Sequence, residues 1–184
     1  MSIKSILIHV IRNESSAVLD AATIVAEKFD AHISGIGIEP LVTLPSYATA
    51  ELPNDVIRSY ELQRTDYLKQ AETSFNDIMK KSGRLARSSW TMSSGVVANA
   101  ISEQAKYCDL LIVGQTRNED VDYHNESVPD DVIVGVNGGV LVVPYIGFKE
   151  TIGDSVLIAW NNTNESALAV RTALPLLKLA SKVE

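Results

Sequence analysis

The sequence predicts an α/β fold: a doubly wound, five-stranded parallel sheet with an extra βα unit at its C-terminal end. Three observations predict it. Short β-branched apolar runs alternate with stretches of helical period along the chain. The first of these runs, Ile6-Leu7-Ile8-His9-Val10-Ile11, is almost continuously apolar, the pattern of a strand buried on both faces. The opening Ser5-Ile6-Leu7-Ile8 also returns near the end as Ser155-Val156-Leu157-Ile158.

The elements follow in order. After the first strand, Asn13 offers an N-cap with Glu14 in the first turn, and Val18, Ala22, Val25 and Phe29 mark one helix face. His32 to Ile38 alternates with period two and reads as a second strand. A loop with Pro45 and Pro53 precedes a long helix whose stripe is Val56, Tyr60, Tyr67, Ala71, Phe75 and Ile78, ending near Gly83. Residues 86–92 form a weaker third strand, and Val97, Ile101 and Ala105 a short helix. Residues 109–114 are a fourth strand, 132–136 a short helix after Pro129, and 140–143 a fifth strand stopped by Pro144. Right-handed crossovers then wind these strands into one sheet.

Residues 148–184 repeat the start. Residues 155–160 read as a strand, Asn161 to Asn164 as a turn, and 168–180 as a helix containing Pro175. Asn164-Glu165-Ser166 also matches Asn13-Glu14-Ser15. The chain therefore divides into a complete α/β domain over 1–147 and the first βα unit of an incomplete second copy over 148–184; chance similarity of two strand-turn-helix pieces is the alternative. At ~150 residues per domain, a length of 184 fits one domain plus such a remainder better than one domain or two.

Composition removes several classes. Hydrophobic residues at 46% and charged residues at 21% exclude a disordered or fibrous chain. A net charge of -7 repels phosphate backbones at long range, which argues against nucleic acid as a partner. No apolar run approaches the ~20 residues needed to span a bilayer, so no membrane partner is expected. The single cysteine, Cys108, cannot form an internal disulfide and fits a cytoplasmic location.

With these elements in place, the sequence resembles the universal stress protein family, in particular its tandem-domain members. The resemblance rests on residues 6–10, on Asp109-Leu110-Leu111-Ile112-Val113-Gly114, on Ser127-Val128, on Val140-Leu141-Val142-Val143-Pro144, and on the restart Val156-Leu157-Ile158-Ala159-Trp160. It implies a Rossmann-like sheet and a ligand pocket drawn from Ile11, Asn13, Ile38, Val113, Gly114, Gln115, Thr116, Ser127 and Val128. In the ATP-binding branch of the family an aspartate ends the first strand. A stretch of the form Gly, two residues, Gly, nine residues, Gly-Ser follows the fourth, because glycines let backbone N–H groups approach phosphates.

This chain departs from that pattern. Ile11 stands at the aspartate position, Arg117 at the second glycine and Glu126 at the third, and the intervening stretch is one residue shorter. Glu119, Asp120, Asp122, Glu126, Asp130 and Asp131 crowd the same region, with His124 as the one possible cation between residues 118 and 131. Each close carboxylate–phosphate pair costs roughly 1 kcal/mol even in water. The expected cofactor is therefore none, with ATP as the alternative.

Other chemistry is weighed against plain structure. Asp120, Asp122, His124 and Glu126 alternate and could face a divalent cation, but a solvated acidic loop is the commoner meaning of a charge run, and no metal is expected. His9 is expected to be a buried core or pocket-edge histidine. Ser15, Ser16 and Ser127 lack an elbow motif and His/Asp partners, and Cys108 reads as a small buried hydrophobe. The expectation is a non-catalytic stress-response or regulatory module, not an enzyme, acting as a homodimer and through protein partners in the cytoplasm. The alternative is an ATP- or AMP-binding protein with an altered phosphate loop and weak ATPase activity.

Overall fold

A computed structural model of the chain describes residues 2–11, 16–40, 54–115, 128–136, 138–148 and 151–184. Its first strand, β1, covers Ser5–His9 and leads to helix α1, Ser16–Phe29. Strand β2 is His32–Pro40, helix α2 Asn54–Lys81 and strand β3 Ser88–Gly95. Helix α3, Val97–Ala105, precedes β4, Leu110–Gly114; helix α4, Val128–Gly135, precedes β5, Gly139–Val143. The strands pair in the order β3-β2-β1-β4-β5, all parallel, which is the doubly wound sheet that the sequence predicts.

Both faces of the central strands β1 and β4 are buried, and alternation along β1 divides the core in two. Ile6 and Ile8 pack with Val18, Ala22 and Val25 of α1 and with Phe75 and Met79 of α2. Leu7 packs on the other side with Val97 and Ile101 of α3, Leu111 of β4 and Val132 of α4. One turn residue locks β4 to β1. The Asp109 carboxylate accepts hydrogen bonds from the backbone N–H groups of Lys4 and Ser5 at 2.8 and 2.9 Å, and from the Ser5 hydroxyl at 3.1 Å. Asp109 is thus a cap that fixes register, and not a residue of the strand as its place in the apolar run suggested.

Two glycines in β2 have a packing reason. The ring of Trp90 lies against them, and a Cβ on Gly35 would come within 2.7 Å of Trp90 and 2.8 Å of Phe75. Phe75 and Trp90 themselves meet in a tilted pair with centroids 5.4 Å apart.

The C-terminal segment is a small parallel unit of its own. Strand β6, Ser155–Val156, leads to helix α5, Asn164–Leu177, and to β7, Lys182–Val183. Helix α5 starts four residues before the expected 168, because Thr163 caps it reciprocally with Ser166. The ladder of β6 is shorter than the expected 155–160, although the Ile158 N–H still donates to the Glu184 carbonyl at 2.7 Å. Strand β7 was not expected, since two residues carry no readable period.

This unit is tied to the main sheet. Leu176 and Ile152 pack on the α1 side of the core, and the Lys28 ammonium donates to the Ile152 carbonyl at 2.6 Å and to Asp154 at 3.3 Å. Its pairing copies that of the first unit: Ser5↔His32 and Ile6↔Ile33 become Ser155↔Lys182 and Val156↔Val183, each position displaced by 150. No helix among the described residues is long and apolar enough to cross a membrane.

Gly35→Ala is expected to lower stability by about 1–3 kcal/mol through overpacking against Phe75 and Trp90, with an unchanged denaturant slope in urea unfolding.

Candidate functional site

In an open parallel sheet the ligand crevice lies at the carboxyl ends of the strands, where the strand order reverses. Here the chain runs from β1 through β2 to β3 toward one edge, then from β4 to β5 toward the other, so the reversal falls between β1 and β4. His9 and Ile11 end the first side; Val113, Gly114 and Gln115 end the second. Ile38 comes from the end of β2, and Val128 opens α4, whose N-terminus points to the same end because the helix runs back along the sheet.

The side chains at this end are mostly committed to packing. Ile38 and Val113 are buried in one cluster with Val97, Ile101 and Val132, so they form the floor beneath the crevice. Ile11 is half-buried and Gln115 exposed. The Gln115 N–H donates to the Val143 carbonyl at 2.8 Å, which withdraws one backbone donor from any anion. The other expected pocket residues, Asn13, Thr116 and Ser127, lie outside the described residues, as do Asp120, Asp122, His124 and Glu126 of the alternative metal loop. Among the described residues, no group of three or more His, Cys, Asp or Glu is placed to hold a metal ion.

Charge at the crevice is acidic or neutral where it is described. Asp130 and Asp131 occupy the first turn of α4, both exposed, and there they complement the helix dipole themselves. A phosphate arriving at that N-terminus would meet two carboxylates already in the favourable position.

His9 is buried on the same face of β1 as Leu7. Burial pushes its imidazole down to about 4, so the ring is neutral at pH 7 and supplies no positive charge. Cys108 is equally unreactive. Burial pushes its thiol up to about 11, and its Sγ–H donates to the Ala105 carbonyl at 3.3 Å.

One polar contact escaped sequence reasoning. His32 Nε2 lies 3.0 Å from Ser89 Oγ, which is 3.1 Å from Ser34 Oγ. Only the β2–β3 register, Ser34↔Ser89, brings these residues together, and a single sequence does not reveal register. The cluster sits in solvent near the amino end of β2, away from the crevice, and among the described residues no carboxylate bonds the His32 ring. It lacks the orienting group that a nucleophilic serine needs.

No protein-family model and no curated protein matches this sequence. Solved structures do match its fold, several universal stress proteins among them. Universal stress protein UspA from Lactobacillus plantarum superposes with a TM-score of 0.61 at 15% identity, over 77% of this chain and 98% of that one. A universal stress protein solved in complex with cAMP gives a TM-score of 0.54 at 19% identity, over 78% and 98%. A universal stress protein from Archaeoglobus fulgidus DSM 4304 gives 0.70 at 13% identity, over 97% of this chain but only 64% of its own length. The chain has the universal stress protein fold.

Acid should destabilise this protein through His9. The native state keeps the imidazole neutral down to about pH 4, whereas the unfolded chain takes up the proton near 6.5, so the unfolded state binds more protons in between. Stability is therefore full above pH 6.5 and falls by about 3 kcal/mol by pH 4. Urea unfolding at stepped pH should show that slope in the native sequence and a flatter one in His9→Gln.

Proposed function

We propose that this chain, built on the universal stress protein fold, is a non-catalytic regulatory module of the cytoplasmic stress response. It works through contacts with a second copy of itself and with partner proteins, and it does not hold ATP in the manner that the family's glycine-rich loop implies. In this reading residues 1–147 are the complete domain and 148–184 begin a second copy, which the displaced β6–β7 register supports.

The observation that carries the reading is the chemistry at the start of α4. In this fold a helix N-terminus beside the crevice is the natural phosphate site. Here Asp130 and Asp131 stand in its first turn, and His9, at the neighbouring strand end, is held neutral. The sequence adds Arg117 and Glu126 where the binding pattern has glycines. An enzymatic role lacks support for a related reason: the Cys108 thiol is held protonated, and the His32–Ser89 pair has no orienting carboxylate among the described residues.

A second reading is an adenine-nucleotide-binding protein with an altered phosphate loop. What favours it is that a protein of the same fold has been solved in complex with cAMP. Calorimetric titration of the full chain with ATP, ADP, AMP and cAMP at millimolar Mg²⁺ separates the two. The expected result is no binding tighter than about 100 µM for any of the four; tighter binding would establish the second reading.

A further inference from the structure

The end strand of the main sheet is long and neutral, and it lacks the usual guards of an edge. Strand β3 closes the order β3-β2-β1-β4-β5, and its eight residues pair in unbroken sequence with β2, from Ile33↔Ser88 to Pro40↔Gly95. Natural edges are protected by lysine, proline or a bulge, and Ser88–Gly95 has none of the three. Among the described residues no strand lies along its outer side. A strand bonded on one side alone turns the N–H and C=O groups of alternate residues outward.

Both faces of this edge offer contacts to a further strand. Trp90 lies on the α2 side against Phe75, and alternation places Met92 on the same side, 59% exposed. Ser89 and Thr91 are exposed on the other face. An added strand would set an apolar side chain against the adaptable Met92 and a polar one beside the hydroxyl of Thr91.

Charge selects the occupant. The chain has a net charge of -7, yet residues 78–102 contain Lys80, Lys81, Arg84 and Arg87 and no carboxylate. These cations gather at the amino end of β3. Lys80 and Lys81 close α2, and the Arg84 N–H donates back to the Met79 carbonyl at 2.8 Å, which holds the turn Leu85–Arg87 against the helix end. Asp30 shares the corner: Arg87 pairs with it, and Arg87, Lys4 and Arg84 hold its carboxyl below the ordinary range. Asp30 offsets one positive charge, and Lys80 and Lys81 remain exposed. Two copies paired across a twofold axis would set this corner against the uncharged Gly95 end of the other strand and leave it unmatched. A strand that ends in carboxylates matches it.

We propose that β3 is the docking edge for a partner protein: an extended segment of the partner adds to the sheet antiparallel to Ser88–Gly95, and acidic residues that follow it lie on Lys80, Lys81 and Arg87. This names the surface for the partner contacts proposed above and rests on that reading. Antiparallel pairing is the more stable of the two directions, and it brings the C-terminal end of the segment to the amino end of β3. Backbone bonds along the edge supply affinity with little regard to sequence. The carboxylates fix direction and register.

The test is fluorescence anisotropy of the full chain with a labelled peptide as long as β3, eight alternating threonine and valine residues, followed by a tail of aspartates. Binding is expected at about 10–100 µM in low salt. It should weaken at least about tenfold when the tail is moved to the other end of the peptide. The double variant Lys80→Glu, Lys81→Glu should weaken it as much, with unchanged urea unfolding. Two further peptides carry N-methyl groups on alternate residues, one set and then the other. Only the set whose N–H groups face β3 should lose binding. Equal effects of the two methylation patterns, equal binding of the aspartate tail alone, or no binding at about 1 mM overturns this surface. So does a native chain that sediments as a dimer and becomes monomeric in Thr91→Lys, because a second copy then occupies the edge. The regulatory reading fails separately, in the nucleotide titration.

Discussion

Water reaches neither face of β1, and the rest of the fold follows from that. Ile6 and Ile8 point to one side of the sheet and Leu7 to the other, and all three are buried. A strand with two apolar faces cannot sit at a solvent boundary, so helices must cover both sides and the neighbouring strands must reach it by crossovers. The pairing β2-β1-β4 then puts the change of winding direction beside β1, and the crevice opens at its carboxyl end. The location of the candidate site is thus a consequence of how the apolar core is distributed. The same constraint places His9 in a dry environment and sets its protonation: desolvation alone accounts for its lowered pKa.

The architecture was legible in the sequence because it is carried by period. The 3.6-residue stripe Val18, Ala22, Val25, Phe29 and the runs at 6–11 and 109–114 report burial directly, and they fall on α1, β1 and β4. Boundaries were less legible, because they depend on capping geometry. Asp109 reads as the first residue of an apolar run, yet its carboxylate binds two backbone N–H groups more than 100 positions away. The start of α5 was misplaced for a similar reason: Thr163 and Ser166 form a capping box that the apolar stripe does not announce.

The candidate site was legible only in part. The sequence places Ile38 and Val113 near the crevice, and both are at that end of the sheet, but their side chains belong to the core beneath it. A residue's position along a strand predicts its height in the sheet; its face follows from alternation, and its neighbours follow from register. Register is also why the His32–Ser89 contact was invisible, and why the partnership of Lys28 with Ile152 and Asp154 was not anticipated. Those last contacts link residues more than 120 positions apart and have no local signature.

Charge and burial act together at the crevice. An anion is held there by any of three means: free backbone N–H groups, a helix dipole, or a cation. The Gln115 N–H is spent on Val143, which also aligns β4 with β5. The dipole of α4 is already met by Asp130 and Asp131 in its own first turn. His9, the ionisable group that ends β1, is neutral because the core that defines the fold surrounds it. Among the described residues, strand register, helix capping and core packing thus each commit one such group elsewhere.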